Sequence, residues 1–166
     1  MKKLSVLFAA VMMFMSVGFA KAQKVASLDL QAVLNLMPEK IKADEQLMAL
    51  NNTKKAEIEK EIAKVQDLFK KYSEEAPKQT PQVNEQRDAE IQKMQEKVRQ
   101  MQAAAQKDLG EKTDAAYGPI EKKFNDALTR AAKANGWEFI FDANSMGLIY
   151  KAGPDATAAV KKELRL

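Results

Sequence analysis

The 166 residues carry 27 Lys plus Arg against 23 Asp plus Glu, with no His and no Cys, for a formal charge of +4. Without imidazole or thiol there is no His general base, no thiolate nucleophile, no disulfide and no zinc site built from nitrogen or sulfur ligands. The positive charge, which would otherwise invite a nucleic-acid partner, is concentrated at one end of the chain.

Met1, Lys2 and Lys3 precede an apolar run from Leu4 to Phe19 and a small-x-small exit at Ala20, Lys21 and Ala22. Residues 1–22 thus describe a secretory signal peptide cleaved after Ala22. The apolar run falls short of the roughly 20 residues needed to span a bilayer, and no Cys follows it for lipid attachment. Removing residues 1–22 takes away three lysines and leaves 144 residues with 24 basic and 23 acidic side chains. A mature chain so nearly neutral implies no nucleic-acid partner, and without the short apolar run no stable membrane insertion is expected of it.

Lys24 to Leu30 reads KVASLDL, an alternation that predicts a short strand, with Val25, Ser27 and Asp29 on one side and Ala26, Leu28 and Leu30 on the other. A turn or two of helix with Val33, Leu34 and Met37 should follow. Pro38 then suits the first turn of the next helix, where its missing N–H has no partner anyway.

From Glu39 to Ala116 only Phe69 and Tyr72 are aromatic and only Gly110 is glycine. Two heptad-spaced seams run through this stretch. One is Ile58, Ile62, Val65, Phe69 and Tyr72; the other is Ile91, Met94, Val98, Met101 and Ala105. A narrow apolar stripe of that period fits a partner helix, and Pro77 and Pro81 interrupt the helix between the seams, pushing Ala76 and Thr80 toward extended conformations. The expectation is an antiparallel helical hairpin roughly 50 Å long at 1.5 Å per residue. Its surface is balanced, with 15 Lys plus Arg and 16 Asp plus Glu over residues 39–116, which reads as solvated i,i+4 pairing.

Gly118 and Pro119 are expected to break the returning helix. A shorter amphipathic helix with Ile120, Phe124, Leu128 and Ala131 on one face should end at Asn135 and Gly136. WEFIFDA then reads as a strand, NSMG as a turn and LIYKA as a second strand. Asp155 or Thr157 can cap a last helix that turns Ala159, Val160 and Leu164 inward.

The fold class is therefore α+β, a small β-rich body with a long helical hairpin inserted. Residues 23–38 and 117–166 form the body, and 39–116 form the arm, with its tip near 76–82. A body of that size is marginal alone, and an exposed edge such as LIYKA invites pairing, so association into a homo-oligomer is expected. No serine sits in G-x-S-x-G or S-x-x-K, and the mature glycines, all at or beyond Gly110, assemble neither a Walker A nor a dinucleotide loop. No enzyme, cofactor or metal site is expected.

The leader, KVASLDLQAVLNLMPE, the Lys/Glu/Gln/Ala-rich hairpin, NGWEFIFDAN, GLIYKAGPDAT and the final VKKEL resemble, in order and spacing, the Skp (OmpH-like) periplasmic chaperones. The resemblance implies a periplasmic homotrimer in which a β-barrel-like trimerisation body carries helical arms around a cavity. It also implies a holdase that keeps unfolded outer-membrane proteins from aggregating without ATP. Soft apolar side chains suit such a task. Candidate client contacts are Leu47, Met48, Leu50 and Leu68, with the seam residues Met94 and Met101 beside them. Packing within the hairpin is the competing reading for each. The balanced arms depart from the basic arms of that family's best-known member, so no lipopolysaccharide site is carried over. An envelope scaffold or adaptor that docks one partner through the hairpin is the alternative function.

Overall fold

The computed structural model describes residues 24–166, and the expected signal peptide lies outside the described residues. Strand β1 (Val25–Leu28) opens the fold. Asp29 then caps the short helix α1 (Leu30–Leu34), its carboxylate accepting from the Ala32 N–H at 2.9 Å. Leu30 belongs to this helix and not to the strand. Met37 is extended and Pro38 starts the long helix α2 (Pro38–Glu75).

A 3-10 turn at Ala76–Lys78 reverses the chain. Ala76 stays helical (φ −50°, ψ −40°), against the expectation from Pro77, because its N–H still bonds to the Tyr72 carbonyl. Thr80 is extended as expected, and its hydroxyl accepts from the Val83 N–H at the start of helix α3 (Pro81–Asn135). The Asn84 side-chain amide donates to the Ala76 carbonyl at 3.1 Å and closes the tip.

Gly118 and Pro119 do not break this helix, which runs unbroken for 55 residues. An interior proline removes one hydrogen bond and costs about 3 kcal/mol in isolation. Here both sides of it are held. Tyr117 bonds to Asp44 and Lys123 pairs with Glu39 on α2, while Ile120 and Phe124 are buried in the body. Gly136, at φ 68°, supplies the left-handed cap that ends α3.

Strand β2 (Phe139–Asp142) pairs with β1 in parallel, Val25 opposite Phe139 and Leu28 opposite Asp142. Parallel neighbours need a crossover connection, and here the whole hairpin lies within it. On the other side of β1, Ser27 donates to the Pro154 carbonyl at 2.9 Å and accepts from the Ala156 N–H at 2.7 Å, a single parallel bridge to Asp155. Ser27 is therefore buried along with Ala26 and Leu28. Among the described residues the body thus holds two strands and one bridge instead of three strands. LIYKA forms no strand: Ile149 and Tyr150 stand 98% and 81% exposed. The outer edge of β2 stays unpaired as well, so among the described residues this segment makes no sheet hydrogen bonds with it.

Helix α4 (Thr157–Leu164) closes the body. The Asp29 N–H donates to the Thr157 hydroxyl at 3.0 Å and the Asn144 side chain donates to the Asp29 carboxylate at 3.0 Å, so one aspartate joins β1, α1, α4 and the loop after β2. Val160 and Leu164 pack with Ala127 and Ala131 of α3, whose small side chains let the helices approach. Ala26, Leu28, Val33, Met37 and Phe124 complete this core.

Candidate functional site

The hairpin arm is held by a thin seam and a ladder of polar ties. From base to tip the ties are Glu39 to Lys123, Asp44 to Tyr117, Lys54 to Asp108, Glu61 to Lys97, Tyr72 to Glu90, and Glu75 to Arg87. As position rises on α2 it falls on α3, and each tie fixes the same register. The Lys40 ammonium and then the Tyr117 hydroxyl hold the Asp44 carboxyl below its ordinary range, while the bond to Asp44 pushes the Tyr117 hydroxyl up. Lys123 does the same for Glu39.

Glu61 is the one acidic residue drawn into the seam, with 8% of its surface exposed. Lys97 from α3 and Lys64 from its own helix donate to it at 2.6 and 2.9 Å, and together lower its pKa to about 2. At the tip the Arg87 guanidinium lies 4.4 Å from the centroid of the Tyr72 ring while it pairs with Glu75 at 2.6 Å.

The sequence-derived contact residues fall into two groups. Leu68 and Met94 pack against the distal arm core of Val65, Ile91 and Val98. Leu47, Leu50 and Met101 are half-buried and pack against neither core, and Met48 is 63% exposed. Leu47, Met48 and Leu50 lie together on α2, on the base side of the Lys54–Asp108 tie, whereas Met101 lies on α3 between that tie and Lys97, closer to the tip. Phe69, which the heptad reading placed in the seam, instead stands 58% exposed. Steps of three then four through Leu68 fit the same period as steps of four then three through Phe69, and the seam takes Leu68.

Further apolar surface lies on the body. Val25, Phe139 and Phe141 point away from the core on one face of the sheet, the two phenyl rings stacked with centroids 6.4 Å apart. Met146, Ile149 and Tyr150 follow in the exposed loop. The heptad pattern placed Phe69 in the seam and so gave no sign of its exposure.

Among the described residues, no group of three or more His, Cys, Asp or Glu is placed to hold a metal ion, and no helix is long and apolar enough to cross a membrane. What the arm offers is shallow. An open groove of about 360 Å³ between the helices is floored by Ile58, Ile62, Ala105 and Leu109 and rimmed by Lys54 and Gln102. The groove thus offers apolar side chains between polar rims.

No curated protein matches the chain. The model of the family described as "Outer membrane protein (OmpH-like)" matches residues 24–164, from the first described residue through the end of α4, and the chain belongs to that family.

Proposed function

We propose that this chain is an ATP-independent periplasmic holdase chaperone that keeps unfolded outer-membrane β-barrel proteins from aggregating, in a cavity between the arms of a homotrimer. The family match across residues 24–164 carries this reading. In it, residues 1–22 are a signal peptide cleaved after Ala22, residues 23–38 and 117–166 form the trimerisation body, and 39–116 form the antiparallel arm. The apolar sheet face at Phe139 and Phe141 and the unpaired Ile149–Tyr150 segment are what a shared intersubunit sheet would cover.

Client contact is assigned to Leu47, Met48, Leu50 and Met101, which the arm leaves outside both cores, with Leu68 and Met94 contributing where the distal seam opens. Unbranched or flexible apolar groups meet varied side chains at little cost, and a client isolated from other clients cannot aggregate with them. With no bound fuel in the scheme, release follows from a downstream state that holds the client more favourably.

Size-exclusion chromatography with light scattering, with and without urea-unfolded outer-membrane β-barrel proteins, tests this directly. A trimer that suppresses aggregation of several unrelated β-barrels near one trimer per client is the expected result. A stable monomer, or a protein indifferent to all of them, overturns the reading, and binding of one defined envelope partner instead would make it an adaptor. Replacing Leu47, Met48 and Leu50 together with Ala should weaken holding while leaving the melting temperature nearly unchanged; a lower melting temperature with intact holding removes these residues from the site. Because the arms are balanced, client affinity should fall less than tenfold between low and moderate salt.

A further inference from the structure

The arm is not uniformly packed. Its base belongs to the body core through Ala43, Ala116, Tyr117 and Ile120, and its outer half is the core of Val65, Ile91 and Val98. Between them, no residue from 44 to 60 on α2 and none from 99 to 119 on α3 is buried. Half-buried Leu47, Leu50, Met101, Ala105 and Leu109 lie in this interval without packing on either core. The seam is crossed there by a polar pair, Lys54 to Asp108 at 3.2 Å with about a third of each side chain exposed, and the 360 Å³ groove opens beside it.

A second observation falls in the same interval. Gly110 is the arm's one glycine, it lies inside α3, and a Cβ built on it meets nothing within 4 Å. Neither a positive φ nor close packing calls for glycine there. Glycine inside a helix weakens it relative to alanine by adding backbone freedom. The most permissive helical residue thus sits where packing across the arm is thinnest.

We infer that the arm yields at mid-length, at a joint formed by residues 47–57 of α2 and 101–113 of α3, with the base and the distal half behaving as two stiffer units. The Gly118–Pro119 step is not the pivot, because it lies beside Tyr117 and Ile120, which are tied to α2 and to the body core. The inference does not depend on what the arm holds. Local opening of this kind is what few buried apolar contacts and solvent-exposed backbone bonds produce.

Native-state amide hydrogen exchange on the whole mature protein tests it. Amides of the joint should exchange at least about tenfold faster than those of Ile91–Val98 and Ile120–Phe124. Gly110→Ala should slow exchange roughly 2- to 5-fold through the joint, including residues 47–57 on the opposite helix, which a purely local gain in helix propensity would not reach. A second variant, Lys54→Leu with Asp108→Leu, should slow the same amides by replacing the polar crossing with an apolar one. Gly118→Ala should leave them unchanged. Joint amides as slow as those of the two cores, a Gly110→Ala effect confined to α3, or an equal effect from Gly118→Ala would each overturn the joint.

Discussion

The body core draws on β1, α1, the base of α2, α3 and α4 and on the short links between them, whereas the distal arm core is three buried apolar side chains on two helices, Val65, Ile91 and Val98. In the body, small and large side chains share one core: Ala127 and Ala131 are fully buried in the same cluster as Val160 and Leu164, and one aspartate fastens four segments. In the arm, apolar burial is thin, and register rests on ion pairs and hydrogen bonds across the seam. An arm of this kind draws its stability largely from the anchored base. It keeps length and apolar surface available at the expense of local stability.

The two cores part most clearly when each is cut in turn. Phe124→Ala in the body should cost about 3–5 kcal/mol in urea unfolding, the usual range for a buried phenyl group. A loss under about 1 kcal/mol would mean that the body is not where the fold is held. Ile91→Ala in the arm should cost about 2 kcal/mol, at the low end for an isoleucine because its surroundings are half solvated. Its effect should appear as faster amide exchange over Tyr72 to Val98, with the amides around Phe124 unchanged. Equal loosening of both regions would show one cooperative core and not two.

A smaller effect separates polar from apolar support within the arm. The Glu61 carboxyl, held by Lys97 and Lys64, titrates near 2 instead of its ordinary 4.5. A depressed folded-state pKa contributes stability that is fully present above the unfolded value and is lost as pH falls through the folded one. The contribution of Glu61 should therefore be complete above about pH 4.5 and gone near pH 2. Distal arm exchange measured in parallel on the native protein and on Glu61→Gln should differ at pH 6 and converge toward pH 2. Curves that stay apart at pH 2 would assign the difference to packing around residue 61 and not to its charge.

The arm was legible in the sequence because its signals are local. Pro38, Thr80, Pro81 and Gly136 each sit where cap chemistry puts them, and the 3.5-residue period marked most of the distal seam, though it took Phe69 in place of Leu68 and ran on to Met101 and Ala105, which join neither core. What the sequence hid depends on partners distant in the chain. Pro119 reads as a helix breaker until Asp44, Glu39 and the body core are seen holding the turns on either side of it. LIYKA reads as a strand, yet it leaves the outer edge of β2 unpaired, with Ile149 and Tyr150 exposed. The parallel pairing of β1 with β2 joins residues more than a hundred positions apart, which no short motif announces. Among the contact candidates, Leu47, Met48, Leu50 and Met101 lie outside both cores, while Leu68 and Met94 belong to the distal one.

Leu68 and Phe69 give the smallest and most discriminating comparison, because they are adjacent and similar in hydrophobicity while their surroundings differ. Leu68 packs on the distal core and Phe69 stands 58% exposed. Leu68→Ala should cost about 2 kcal/mol. Phe69→Ser should change stability by less than about 0.5 kcal/mol, as surface substitutions away from packed features do, although phenylalanine is the larger side chain. Thermal melts of the two variants decide it. If Phe69→Ser proves the costlier, Phe69 is covered in the assembled protein, and its exposure in the single chain marks a contact between arms. If both are small, the distal seam contributes almost nothing, and the polar ties from Glu61 to Glu75 hold the outer arm together.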